Sequence, residues 1–80
     1  MEYKTSYSKE EMKELADWFE THLDKLPKSF QMNPSTRFSD LPKTVHHIIE
    51  FLKLGKNDVT FSGQIYNWFI LRDKLIEAGY

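Results

Sequence analysis

The sequence contains no cysteine. That one absence removes disulfides, cysteine-based zinc sites and thiol nucleophiles together, and it fits a reducing compartment. Glycine and proline are scarce, with three of each in 80 residues. There is no Gly-rich phosphate loop, no Gly-x-Ser-x-Gly nucleophile elbow and no Gly-Lys-Ser/Thr. Asn33-Pro34-Ser35 has the outline of a glycosylation acceptor, but proline in the middle position disqualifies it. Neither charge sign is in surplus. The net charge is −1 with acids and bases mixed along the chain, whereas a strong nucleic-acid binder carries a basic excess. No apolar run approaches the ~18 residues of a membrane span. The first fifteen residues hold no apolar core of a secretory signal, so the expected location is the cytoplasm, without a membrane.

What is present is ring-rich apolar material. Aromatic residues make up 15% of the chain, and large rings supply the most burial per residue. That matters here, because a domain of this size buries only about 60% of its unfolded surface. The length fits one domain, read as a flexible segment over residues 1–7 and a three-helix domain over 8–80.

Helical periodicity dominates the chain outside one stretch. Ser8-Lys9-Glu10-Glu11 is a capping box. Met12, Leu15, Ala16, Phe19, Leu23 and Leu26 follow on one face, and Pro27 ends the helix at about Lys25. Asp40 caps a second helix, with Pro42 in its first turn. Leu41, Val45, Ile48, Ile49 and Leu52 form its buried stripe, and Gly55 closes it ahead of a polar turn at Lys56-Asn57-Asp58. Thr60 or Ser62 is expected to cap a third helix running to about Ala78, with Gly79 stopping it. Its inner face is read as Phe61, Ile65, Trp68, Phe69, Arg72 and Ile76, with Tyr66, Ile70 and Leu71 on the flanks.

The connector over residues 26–42 has its own pattern. Phe30-Gln31-Met32 alternates as an extended chain does. Asn33-Pro34 suits a type I turn, after which Arg37-Phe38 can run back beside Gln31-Met32 as a very short hairpin. Apolar residues at this spacing need something to pack on, so the segment is read as an ordered strap over the helices. The expected architecture is mainly α: a three-helix bundle with a long ordered connector, carrying a minimal β-hairpin, between helices 1 and 2.

Leu26-Pro27-Lys28-Ser29, then Met32-Asn33-Pro34 and Thr36, then Asp40-Leu41-Pro42 with Val45, resembles a domain-of-unknown-function family of short, uncharacterised bacterial proteins, mainly from Bacteroidota. Trp18-Phe19 also looks like that family's Trp-Phe pair. The resemblance runs over roughly residues 15 to 78. The chain departs from the pattern at Ser35, where the family has a large aromatic, and at Gly63, where a proline is common. The family implies no activity, ligand or catalytic residue, so none is carried over.

The polar residues point away from catalysis. His46 and Glu50 are spaced i, i+4, but His46 lies about 160° from Ile48, on the solvent face. With His47 at an edge and His22 on another helix, no metal set is expected. Most serines and threonines sit at caps or turns that need their oxygens structurally. No acid, base and nucleophile converge, so neither an enzyme nor a cofactor is expected. Arg72 falls in the apolar stripe of helix 3 and needs a partner; Asp17, Asp40, Asp58 or the connector's carbonyls are the candidates, which would pin the connector or a helix end.

Two binding readings remain. The surplus of apolar residues on helix 3, with the exposed rim of the connector, suggests a protein-interaction or accessory module with a protein partner or a second copy. Its candidate surface is Lys28, Gln31, Ser35, Thr36 and Arg37 together with Tyr66 and Ile70. The alternative is weak nucleic-acid binding by Lys25, Lys28, Arg37 and Lys43, interleaved with Phe30 and Phe38.

Overall fold

The computed structural model describes residues 7–56 and 59–80. The proposed turn at Asn57-Asp58, the Asp58 partner for Arg72, and all of the expected flexible segment except Tyr7 lie outside the described residues.

Helix α1 spans Lys9–His22. Its capping box is complete: the Ser8 amide donates to Glu11 Oε1 at 3.0 Å, and the Glu11 amide donates to Ser8 Oγ at 3.1 Å. Orphan donors of the first turn are thereby satisfied from both directions. The α-helix ends earlier than its periodicity implies, at His22. Leu23–Lys25 tighten into a 3-10 turn, and Leu26 is extended at φ −78°, ψ 147°. Pro27 explains that last conformation, because its ring disfavours αR in the residue before it.

The connector is ordered. Strands β1 (Phe30–Asn33) and β2 (Thr36–Phe38) pair antiparallel as a two-stranded hairpin. Phe30 faces Phe38 and Gln31 faces Arg37, with an irregularity between Gln31 and Asn33 that leaves Met32 outside the regular register. The turn is built by Asn33, whose Oδ1 accepts from the Ser35 amide at 2.9 Å and the Ser35 hydroxyl at 2.8 Å. Asparagine side chains commonly substitute for backbone in this way. At the base, the Leu41 amide donates to the Lys28 carbonyl at 2.8 Å. This bond closes the loop and satisfies a helix-terminal donor that would otherwise need water.

Helix α2 spans Leu41–Lys53, with Asp40 Oδ1 accepting from the Lys43 amide at 3.3 Å. Its whole expected stripe is buried: Leu41, Val45, Ile48, Ile49 and Leu52. Gly55 takes φ +72° and donates to the Leu52 carbonyl at 3.1 Å, a left-handed stop that a Cβ would strain.

Helix α3 spans Ser62–Glu77, entered through a 3-10 turn at Val59–Phe61. Here the expectation changes. The residue before the helix is Phe61, which gives no side-chain cap. The Ser62 hydroxyl instead donates back to the Val59 carbonyl at 2.8 Å, bracing the turn. The buried face is also rotated. Ser62, Ile65, Leu71 and Leu75 are buried, whereas Ile76, placed on the inner stripe by spacing, is 50% exposed. Leu71, read as a flank residue, is fully in the core. The end matches: Gly79 at φ +98° donates to the Ile76 carbonyl and the Tyr80 amide to the Leu75 carbonyl, both at 3.0 Å, which is a Schellman closure.

The core lies mainly between α1 and α2, the most extensively packed helix pair. Met12, Leu15, Ala16 and Phe19 meet the α2 stripe, and Phe30, Met32 and Phe38 pack against this cluster from the hairpin. Tyr7 belongs to the core rather than to a loose end: it is buried, and its ring stacks on Phe69 at 5.2 Å.

Candidate functional site

The seven residues expected to form an interaction surface fall into two groups. Lys28, Gln31, Ser35 and Arg37 are exposed on or beside the hairpin, and Thr36 is half-buried there. Cross-strand pairing sets Gln31 and Arg37 opposite each other. Tyr66 and Ile70 are half-buried one turn apart on α3. The hairpin and α3 are not a major packing pair, so the fold does not fuse these groups into one continuous site.

The hairpin group is occupied largely with architecture. Ser35 serves the Asn33 turn, Gln31 Nε2 donates to the Asn33 carbonyl at 3.3 Å, and the Lys28 carbonyl receives the Leu41 amide. The cations on the rim are different. Lys25, Lys28, Arg37 and Lys43 are exposed, and none forms an ion pair among the described residues. Asp40, beside them, is used as the helix cap the sequence implies.

The outer side of α3 is more unusual. Trp68 leans edge-on to Phe51 at 5.2 Å, and Phe51 leans edge-on to Phe61 at 5.1 Å. This aromatic ladder crosses from α2 to α3. It forms part of an open groove of about 310 Å³, lined by Thr44, His47, Ile48, Phe51, Gln64 and Trp68. Trp68, Phe69 and Ile70 are all half-buried, so the hairpin leaves α3 uncovered to this extent.

Arg72 does not pin the connector. Its guanidinium lies 5.0 Å from the centre of the Phe69 ring, and its Nε is 3.7 Å from Asp73 Oδ1. That Nε is buried without a hydrogen bond among the described residues. Asp17 pairs with Lys13, and Asp40 caps α2. Arg72 therefore reads as a cation–π neighbour of the Tyr7–Phe69 stack.

The histidines find local partners. His46 Nε2 is 2.9 Å from Glu50 Oε1, with both side chains mostly exposed. The His22 ring stacks on Trp18 at 4.1 Å, and its Nδ1 is 2.7 Å from the Trp18 carbonyl. Among the described residues no three metal-ligating side chains converge, and no helix is long and apolar enough to cross a membrane.

One feature that spacing did not reveal is a cleft of about 400 Å³ between α1 and the end of α2. Lys9, Lys13 and Asp17 line it from α1, and Lys53, Leu54 and Gly55 from the other side. Lys53 crosses between the helices to Glu20 Oε2 at 2.5 Å. The hydrogen bond and charge of Glu20, helped by Asp17, raise the Lys53 pKa above its ordinary 10.5. The only advance signal was Leu54, an apolar residue placed where α2 stops; it is 66% exposed.

These features define a small, mainly α domain whose two-stranded hairpin joins the first helix to the second. The chain belongs to the family described as Domain of unknown function (DUF6965), whose model matches residues 10–78. No curated protein matches the chain, and no solved structure matches it.

Proposed function

We propose that this domain is a small non-enzymatic protein-interaction or accessory module, acting through the outer face of α3. The observation that carries the reading is the division of that helix. It buries Ser62, Ile65, Leu71 and Leu75, yet keeps Tyr66, Trp68, Phe69 and Ile70 half-exposed and Ile76 exposed. Half-exposed apolar side chains kept on one helix offer anchors for a protein contact, and Trp and Tyr are among the residues most enriched in such anchors. The groove floored by Phe51 and Trp68 supplies a recess for an apolar side chain of a partner. The partner is a second protein or a second copy of the chain, met in the cytoplasm.

Affinity capture from host lysate tests this, with wild type and Ile70→Glu run in parallel and self-association followed by sedimentation. The reading expects proteins, or a dimer, present with wild type and lost with the variant. Identical captures together with a monomer at high concentration would remove it.

A further inference from the structure

We propose that the cleft between α1 and the end of α2 binds a small amphipathic carboxylate, a monoanion carrying a short apolar chain. Its volume of about 400 Å³ sits at the lower end of the ~300–1,000 Å³ typical of ligand pockets, which selects a small molecule. Ala16 and Leu52, each 3% exposed, line it as an apolar floor. Leu54 stands 66% exposed at its edge, where an apolar chain would cover it. The mouth is open beside Gly55, where a Cβ would meet nothing within 4 Å.

Charge sets the sign of the ligand. Three lysines, Lys9, Lys13 and Lys53, line the cleft with one carboxylate, Asp17, and Glu20 beside it pairs with Lys53, which leaves a surplus of one cation in a chain whose net charge is −1. Lys9 has no ion pair among the described residues. Lys13 meets Asp17 at 3.4 Å between side chains that are 79% and 57% exposed. Such a pair contributes little and exchanges readily for a better acceptor. Lys53 is held in place by Glu20. The negative end of α2 opposes an anion here, but the Phe51 and Leu52 carbonyls already accept from the Leu54 and Gly55 amides. The tail would lie on Ala16, Leu52 and Leu54, with the carboxylate between Lys9 and Lys13. This site uses α1 and the end of α2, so it stands or falls independently of a partner on α3.

The test is titration of the isotope-labelled full chain with octanoate, followed by amide NMR shifts. The expected result is saturable shifts centred on Ala16, Asp17 and the stretch from Leu52 to Gly55. Acetate, which lacks the tail, and octylammonium, which lacks the negative charge, should leave those amides unmoved. The double variant Lys9→Glu, Lys13→Glu should stay folded by circular dichroism and bind octanoate about tenfold more weakly, as two reversals of exposed charge allow. No shift up to the solubility limit would overturn the proposal. So would equal shifts with octylammonium, or shifts centred on the Phe51–Trp68 groove instead.

Discussion

The α1–α2 pair and α3 solve the same problem differently. In α1 and α2 the buried apolar residues form one stripe each, and those stripes face one another, with Trp18 and Phe51 half-buried beside them. In α3 apolar residues run around much of the circumference, and only Ser62, Ile65, Leu71 and Leu75 are buried. A helix with one apolar face is fully used by its own fold, while a helix with surplus faces retains surface for something else. The contrast places most of the core in α1–α2 and the surplus of half-exposed apolar side chains on α3, with the cleft at the end of α2 standing apart from both.

The closed α1–α2 core should be the most sensitive to substitution. Phe19 is fully buried, so Phe19→Ala should cost about 3–5 kcal/mol, much of what so short a chain holds. Urea unfolding reads this directly, and a cost under 1 kcal/mol would mean the α1–α2 core is less closed than described. Next comes the hinge between hairpin and α2. Removing the Asp40 cap as Asp40→Ala should cost about 1 kcal/mol, with the hairpin amides losing hydrogen-exchange protection alongside the first turn of α2. Protection lost in the helix alone would separate the two.

Smaller still is Arg72→Met. Its guanidinium reaches Phe69 and Asp73 rather than a distant acid, and its Nε is buried without a hydrogen bond among the described residues. The substitution keeps the stem's packing, so the change should stay within about 0.5 kcal/mol in either direction. A large loss would restore a pinning role. The smallest effect concerns Lys53 and Glu20. Because Glu20 raises the Lys53 pKa above 10.5, the stability that this contact adds is complete below 10.5 and is lost as pH rises through the folded value. Wild type should melt slightly above Glu20→Gln at neutral pH, and the gap should close above pH 10.5. A gap that persists there would assign the effect to packing.

The same comparison explains what the sequence disclosed. The α2 stripe was legible residue by residue because Leu41, Val45, Ile48, Ile49 and Leu52 fit one template and no other. The capping box at Ser8 and the stops at Gly55 and Gly79 were legible because their chemistry is local. The hairpin could be anticipated from Asn33-Pro34 and the spacing of Phe30, Met32 and Phe38, but not its irregularity at Met32. In α3 the reading was right at Ile65 and at the Gly79 stop but misplaced Leu71, Leu75 and Ile76. Apolar residues at almost every angle let several faces match the helical period, and Ile76 was taken for Leu75. The candidate surface was legible as a list of residues but not as a place, since no local pattern reports whether the hairpin touches α3. The α1–α2 cleft was invisible for the same reason: its lysines come from two helices far apart in the chain.

Leu75 and Ile76 are neighbours in the chain and opposites in the fold, at 0% and 50% exposure. Urea unfolding of Leu75→Ala beside Ile76→Glu is therefore the most direct test that α3 has one inner face and one face free for a partner. Leu75→Ala should lose about 2–5 kcal/mol and Ile76→Glu no more than about 0.5. Comparable losses from both would contradict the account, because the outer face of α3 would then belong to the fold.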